Sequence, residues 1–406
     1  MNNMSEEREF SSNFKLRPLR RYEEMLRNNS RYYFDVDEFE EIIDHYLVNK
    51  KTAKALRAVS LAIEQHPLST GIYLKKAQAL NEKGDASHAL DILKNIEGIE
   101  SSNPEVYFAK GVSYLGLNNT DTALKEFRNA VRLTTGPKEE LLSNIAMIFE
   151  QNDQFSYAIS FFLEAYRENP SNSIILYDLA YCHERSGNFS RSAYYYELYL
   201  DTDPYSENVW YNLGVIYNQM DQPVKALNSY DYAIAIDPGF ISARFNMAVT
   251  YENTGKYRNA AQAYRELLDI EPENAQFWYS LGNIYIKLKY FENAFEAFSK
   301  AVSFNPTDYE SFIAIAEIYN LKNQTSESIR VLEEALKSDP ENANLNYRLA
   351  AYWLILQNHQ KAKYYLEKGL SINFDLYPEF LEYCPKARKR RFVKELINSF
   401  RKNDNG

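Results

Sequence analysis

Residues 207–240 read ENVWYNLGVIYNQMDQPVKALNSYDYAIAIDPGF, and residues 241–274 follow with ISARFNMAVTYENTGKYRNAAQAYRELLDIEPEN. The two segments share a spacing of small, aromatic and proline residues that continues in both directions along the chain. Prolines recur at an unbroken spacing of 34 residues, at Pro170, Pro204, Pro238, Pro272, Pro306 and Pro340. A fixed period of this length is typical of solenoid proteins, in which one supersecondary unit stacks on the next.

When this proline is placed at position 32, the chain divides into ten units: 36–69, 70–103, 104–138, 139–172, 173–206, 207–240, 241–274, 275–308, 309–342 and 343–376. Position 8 is small in nine units, position 20 is always Ala or Ser, and position 24 is large and apolar. Small residues allow two helices to pack closely, and apolar residues spaced i, i+3, i+4, i+7 form a helical packing face. Proline at position 32, which is present in seven of the ten units, ends the second helix. The pattern therefore predicts ten antiparallel helix pairs.

Two units show the pattern most fully. Unit 207–240 carries Trp210, Leu213, Gly214, Tyr217, Ala226, Tyr230, Ala233 and Pro238. Unit 275–308 carries Trp278, Leu281, Gly282, Tyr285, Ala294, Phe298, Ala301 and Pro306 at the same positions. This pattern resembles the tetratricopeptide repeat (TPR) family. The resemblance covers 341 of 406 residues, and it implies an all-α, right-handed superhelix of about ten helix-turn-helix repeats with capping helices at both ends.

The chain ends differ from the units and are expected to cap them, because a solenoid must cover its terminal apolar faces. We predict a leader and capping helix over residues 1–35, with a helix at 19–29 and disorder at 1–13. The ten units fill residues 36–376. Residues 377–406 are predicted to form a capping helix with the basic run 386–391 on its outer face and an apolar stripe on the other, made of Phe392, Val393, Leu396, Ile397 and Phe400.

Composition excludes several classes of protein. The net charge is −10, and residues 1–376 carry 38 basic against 52 acidic side chains. An acidic surface disfavours nucleic acid, since binding depends on Lys and Arg displacing counterions. Only Cys182 and Cys384 are present, so a disulfide framework is excluded. No apolar run is long enough to span a membrane. We therefore expect a cytoplasmic protein without membrane attachment.

Catalytic chemistry has little support in the sequence. No phosphate-binding loop, HExxH, GxSxG or CxxC motif is present, and the five histidines are spread over four units. Cys182 and His183 are adjacent and could suggest a nucleophile and its base. Neighbours on a helix point about 100° apart, however, so a structural role is favoured. We expect a non-enzymatic protein with no metal and no cofactor.

The first helix of each unit, helix A, lines the concave surface of TPR arrays, so the resemblance implies a ligand-binding groove on this helix. Position 5 is aromatic in six units, and Asn recurs at positions 6 and 12. The Asn at position 6 is similar to the asparagine ladder of O-linked N-acetylglucosamine transferases. The candidate groove residues are Tyr177, Tyr181, Tyr211, Asn212, Asn218, Phe245, Asn246, Glu252, Tyr279 and Asn283. The alternative is that the position-5 rings pack between helices.

These observations favour a scaffold that binds an extended peptide or a partner protein in the groove. Because acidic side chains share the helix-A face, the partner is expected to be neutral or basic. Two alternatives stay open. One is a nucleic-acid-associated regulator that uses the basic run at 386–391, and the other is a module that associates with a second copy of itself.

Overall fold

The computed structural model describes residues 17–404, and within that range it contains helices and no strand. The all-α prediction is confirmed. The predicted disorder of residues 1–13 lies outside the described residues. The chain divides into two compact bodies, residues up to Tyr195 and residues from Tyr196 onward, which are described separately.

The N-terminal body, residues up to Tyr195, begins with a short helix followed by helix pairs. Its helices are α1 (Arg17–Arg27), α2 (Val36–Val48), α3 (Thr52–Gln65), α4 (Thr70–Lys83), α5 (Ala86–Glu97), α6 (Pro104–Gly116), α7 (Thr120–Leu133), α8 (Glu139–Gln151), α9 (Phe155–Glu168) and α10 (Ser173–Arg185). The division between the bodies falls inside the next helix, α11 (Phe189–Thr202).

The C-terminal body, residues from Tyr196 onward, continues the pairs and ends in shorter elements. Its helices are α12 (Glu207–Gln219), α13 (Pro223–Ile236), α14 (Ile241–Asn253), α15 (Tyr257–Ile270), α16 (Ala275–Lys287), α17 (Phe291–Phe304), α18 (Tyr309–Leu321), α19 (Thr325–Ser338), α20 (Ala343–Ile355), α21 (His359–Ile372), α22 (Tyr377–Tyr383) and α23 (Arg391–Asp404). Two 3-10 helices, Phe374–Leu376 and Pro385–Lys389, flank α22.

The helices keep one register through all ten units. Helix A begins at position 1 of every unit, and the second helix, helix B, begins at position 17. Helix B stops two residues before the proline of position 32, as at Ile236 before Pro238 and Ile270 before Pro272. This follows because proline disfavours helical backbone in the residue that precedes it. In the seven units that have this proline, it thus sets where helix B stops.

The turn between the two helices has a left-handed residue at position 15 of every unit, with φ between 54° and 85°. Glycine adopts this conformation without steric cost, whereas a side chain with a Cβ is strained there. Three units have glycine at this position and four have Asn or Asp, which tolerate it. Lys50, Lys289 and Gln357 occupy it in the remaining three.

The core of a unit forms where the ring at position 24 meets the small residue at position 8. A Cβ atom added to Gly214 would lie 2.5 Å from the ring of Tyr230, and one added to Gly282 would lie 2.6 Å from Phe298. Glycine is therefore present because a ring from helix B packs directly on the backbone of helix A. Ala226, at position 20, is fully buried beside this contact.

Both ends pack against the neighbouring units. Tyr22 and Met25 of α1 are buried in the first core. Val393, Leu396 and Ile397 of α23 are buried with the last unit. One prediction is wrong here: the basic run does not form the outer face of the helix that carries the apolar stripe. It lies mostly in the 3-10 helix Pro385–Lys389, because Pro385 and the short helix α22 redirect the chain before α23 begins.

Candidate functional site

All ten predicted groove residues lie on helix A of their units and are half-buried. Two of them belong to the N-terminal body, on α10, and eight to the C-terminal body, on α12, α14 and α16. A half-buried side chain is compatible both with an open groove and with packing between helices. The hydrogen bonds and ring contacts of each side chain therefore decide how it is used. These contacts differ along the chain.

In the N-terminal body, Tyr181 packs among its own neighbours. Arg185 donates a hydrogen bond from Nη1 to the Tyr181 hydroxyl at 2.9 Å, and its guanidinium lies 5.2 Å from the centre of the Phe155 ring. The rings of Tyr181 and Phe155 meet edge to face at 6.5 Å. Tyr177, one turn earlier, is half-buried on the same helix. The Tyr181 ring therefore has a local structural role.

A pair of carboxyl groups lies beside these tyrosines. Burial and the nearby Glu150 carboxylate raise the pKa of Asp178 to about 7, and burial also raises the pKa of Glu150. Cys182 is fully buried, and its Sγ donates to Glu150 Oε2 at 3.7 Å. Burial raises the pKa of this thiol far above its usual range. The nucleophile is the thiolate, so Cys182 is held in its inert form.

His183 also lacks the geometry of a catalytic base for Cys182. Its imidazole stacks on the Tyr195 ring, with centres 5.5 Å apart and planes 3° from parallel. Burial lowers the pKa of His183, and Arg191 lowers it further. The adjacency of the two residues is therefore explained by packing.

In the C-terminal body, the middle of the helix-A face is tied together by its own hydrogen bonds. Asn218 donates from Nδ2 to the Tyr230 hydroxyl at 3.0 Å and to Thr250 Oγ1 at 2.8 Å. Asn246 donates from Nδ2 to the Tyr211 hydroxyl at 3.2 Å. These amide donors are therefore already engaged within the protein. The sequence analysis did not predict these hydrogen bonds, because the partners lie as far as 35 residues away in the chain.

The position-5 rings on this face pack on one side and remain accessible on the other. Tyr211 contacts the Phe240 ring at 5.2 Å, and Phe245 contacts the Phe277 ring at 5.8 Å. Glu252 lies beside the hydroxyl of Tyr264, whose pKa is raised to about 12, chiefly by burial. Asn212, like the others, is half-buried. These rings therefore pack against neighbouring rings and are also partly exposed to solvent.

A pocket of about 290 Å³ opens at the end of this face, lined by α16, α18, α20 and α22. Two predicted groove residues, Tyr279 and Asn283, form part of its wall. The side chains of Asn283 and Glu310 lie close to the Tyr279 hydroxyl, and burial raises the pKa of that hydroxyl. The remaining lining is largely aromatic and acidic: Tyr309, Tyr347, Phe380, Tyr383, Glu317 and Glu379.

One cation, Arg348, lines the pocket and is held by two contacts. Its Nη1 donates to Glu317 Oε1 at 2.6 Å, and its guanidinium lies 3.7 Å from the centre of the Tyr383 ring. The Tyr383 hydroxyl in turn donates to that of Tyr352 at 2.6 Å. Sequence reasoning missed most of this pocket, since one wall is α22, a separate short helix where a single capping helix over residues 377–406 was predicted.

Among the described side chains, those of residues 17–401, no three His, Cys, Asp or Glu groups converge in a way that could hold a metal ion. In the same range, no helix is both long enough and apolar enough to cross a membrane.

Comparison with known families agrees with the repeat register. The family model described as a tetratricopeptide repeat matches residues 108–173, and the model described as the C-terminal domain of cilia and flagella-associated protein 70 matches residues 173–373. The matched range contains consecutive helix pairs with the 34-residue spacing. The chain belongs to the TPR family. In this TPR protein the family models cover most of the ten units.

Several solved structures are similar to the TPR protein over part of its length. MamA is 20% identical, over 43% of this chain and 96% of MamA, with a TM-score of 0.41. YrrB, described as a TPR protein with an unusual peptide-binding site, is 20% identical over 46% of this chain and 95% of YrrB, with a TM-score of 0.39. The C-terminal part of a TPR protein from Cytophaga hutchinsonii is 18% identical, over 60% and 99%, with a TM-score of 0.47. No curated protein sequence matches significantly.

Proposed function

We propose that this TPR protein is a non-enzymatic interaction scaffold that binds an extended peptide segment of a partner protein on the helix-A face of residues 207–383. The observation that carries the proposal is the row of half-exposed rings on successive helices A, at Tyr211, Phe245 and Tyr279, which leads to an open pocket. Aromatic side chains dominate the energetics of many interfaces, since they provide large contact area at low entropic cost.

The hydrogen-bonding pattern of the face refines how a peptide would bind. Because the amide donors of Asn218 and Asn246 serve tyrosine and threonine hydroxyls, the rings and the pocket contribute more than these two amides do. The acidic side chains on the face, Glu252, Glu310 and Glu317, favour a neutral or basic segment. Like charges would repel an acidic segment across the interface.

The test uses the full chain, immobilised and exposed to a displayed library of random dodecapeptides. Peptides with aromatic or apolar residues are expected to be selected, and their dissociation constants are measured by calorimetry. Tyr279→Ala should weaken binding by about 1–3 kcal/mol, the range of an aromatic anchor. Lys287→Ala, an exposed change on the same helix, serves as the control. Failure to select any peptide, or equal affinity of Tyr279→Ala and wild type, would contradict the proposal.

Separate measurements test the two alternative functions, nucleic-acid binding and self-association. Lys386, Arg388 and Lys389 are exposed, as a nucleic-acid contact requires. Binding through them would fall steeply as salt concentration rises, because phosphate contacts release counterions. Self-association would appear in light scattering as a mass above that of one chain. Either result with no peptide selected would replace the proposed function.

A further inference from the structure

The pocket between α16, α18, α20 and α22 has a composition that selects one kind of ligand group. Its lining combines three carboxylates, Glu310, Glu317 and Glu379, with five aromatic rings and a single cation. We propose that this pocket binds one Lys or Arg side chain of the bound peptide. The inference rests on the proposed function and names the chemistry by which the scaffold recognises its partner.

The charges of the pocket are not balanced internally. Arg348 pairs with Glu317 at 2.6 Å, so one carboxylate is neutralised by a cation already in place. The ion pairs found among the described residues include neither Glu310 nor Glu379, and both side chains are exposed. The excess negative charge attracts a cation and repels a carboxylate or phosphate. The ligand group is therefore basic.

The aromatic walls suit the same group. A Lys ammonium or Arg guanidinium is attracted to the face of an aromatic ring within about 6 Å of its centre. The pocket already shows such a contact, since the Arg348 guanidinium lies 3.7 Å from the centre of the Tyr383 ring. Tyr279, Tyr309 and Phe380 contribute further rings to the lining. The methylene groups of a basic side chain would pack on these rings while its charge faces the carboxylates.

The walls are also held in place before any ligand binds. Tyr383 donates a hydrogen bond to Tyr352 at 2.6 Å, and Tyr347 donates to the Asn373 carbonyl at 2.8 Å. These bonds fix the last helices of the array around the pocket. A rigid site reduces the entropic cost of binding. The volume, about 290 Å³, lies at the small end of ligand pockets, which suits a side chain better than a larger molecule.

The experiment selects random displayed dodecapeptides on four full-length proteins: wild type, Glu310→Gln, Glu379→Gln and Glu367→Gln. Glu367 is exposed on α21 outside the pocket and is the matched control. Wild type and Glu367→Gln should select peptides that share a Lys or Arg at one position. This preference should be reduced on both pocket variants. Thermal melts of all four proteins should agree, since each substituted carboxylate is exposed.

A single selected peptide then provides the quantitative test. Replacing its shared Lys or Arg by Met should weaken binding to wild type by about tenfold or more, the scale of a charged contact at an interface. The same replacement should cost about threefold or less on Glu379→Gln, because the partner charge is already gone.

Other outcomes would overturn the inference. Selected peptides without a shared basic residue would show that the pocket is not a cation subsite, while the proposed function would stand. An equal loss on wild type and Glu379→Gln would place the basic residue elsewhere on the protein. If no peptide is selected, the proposed function fails and the inference fails with it. A dimer of wild type that Glu379→Gln dissociates would identify a second copy of the chain as the occupant.

Discussion

Two regions of the C-terminal body have the same repeat positions and use them differently. On α12 and α14, the polar side chains of the helix-A face bind one another: Asn218 reaches Tyr230 and Thr250, and Asn246 reaches Tyr211. Around α16, α18 and α20, polar side chains instead surround a pocket of about 290 Å³, and Glu310 is exposed there. We call these regions the closed face and the pocket.

The contrast shows that a side chain at a groove-facing repeat position is not always free to bind a ligand. In the closed face, tyrosine hydroxyls at positions 5 and 24 and the Thr250 hydroxyl at position 10 accept from the asparagine amides. Beside the pocket, positions 24 and 10 of unit 275–308 carry Phe298 and Ile284, which have no hydroxyl. Hydrogen-bonding capacity left unused by the fold is what a ligand can use.

The largest expected effect comes from removing residues 377–406. This deletion removes one wall of the pocket and uncovers the apolar face against which Phe380, Val393 and Ile397 are buried. We expect aggregation or a sharply lower melting temperature, since a solenoid requires a covered end. Scanning calorimetry and light scattering measure both effects.

A charge variant serves as the control, because it removes the basic side chains of residues 377–406 without removing the packing of α22 and α23. Changing Lys386, Arg388 and Lys389 to Gln should leave the melting curve nearly unchanged, because these side chains are exposed. Full solubility and an unchanged melt of the deleted chain would contradict the packing described for α22 and α23.

A second effect concerns the N-terminal body, where position 6 of unit 173–206 carries Asp178 in place of the asparagine of the closed face. The pKa of Asp178 is raised from 3.8 to about 7, so the folded state holds its proton where the unfolded state has lost it. The carboxyl group therefore stabilises the fold at low pH, and this contribution is lost as pH rises from about 4 to about 7.

Asp178→Asn tests this dependence. The variant should lose less stability than wild type between pH 5 and pH 8, by roughly 2 kcal/mol, allowing for partial exposure of the side chain to water. Chemical denaturation at a series of pH values measures the difference. Parallel pH profiles of the two proteins would show that Asp178 titrates normally in the fold.

A third prediction compares the loss of stability when two different asparagines are replaced by alanine. Asn218→Ala should destabilise the protein by about 1–2 kcal/mol, because the buried hydroxyls of Tyr230 and Thr250 lose a donor. Asn344→Ala, which changes the lining of the pocket, should alter stability by less than about 0.5 kcal/mol. Urea denaturation of both variants gives the comparison. If both variants lose equal stability, the side chains that line the pocket are as engaged in the fold as those of the closed face.

The smallest expected effect concerns the left-handed residue in the turns of two neighbouring units. Gly255 takes the left-handed conformation in unit 241–274, and Lys289 takes it in unit 275–308 with φ of 62°. Lys289→Gly should stabilise the fold by about 0.5–1 kcal/mol, because relief of strain exceeds the entropic cost of glycine. The matched change Lys287→Gly, at the last residue of α16, should destabilise by less than about 1 kcal/mol, the cost of glycine in a helix interior. A lower melting temperature for Lys289→Gly would contradict this.

The sequence by itself determined the secondary structure and the repeat register. Proline at position 32 and small residues at positions 8 and 20 act locally or between adjacent helices, so periodicity alone predicted ten helix pairs and the bounds of their units. The ten candidate groove residues lie on helices A, as the repeat register implies, and their role in binding stays a prediction. The sequence did not identify helix α22 or the place of the basic run, since residues 377–390 lie outside the repeat.

Only the tertiary structure decided which side chains are engaged and which are open. Asn218 and Thr250 lie 32 residues apart, as do Tyr365 and Glu333, and each pair meets through the stacking of neighbouring units. The pocket likewise needs α22 to fold back near Arg348 and Tyr279. A repeat pattern records which face a residue occupies, but hydrogen bonds and cavities depend on distances between side chains remote in the chain, and these exist only once the units have packed.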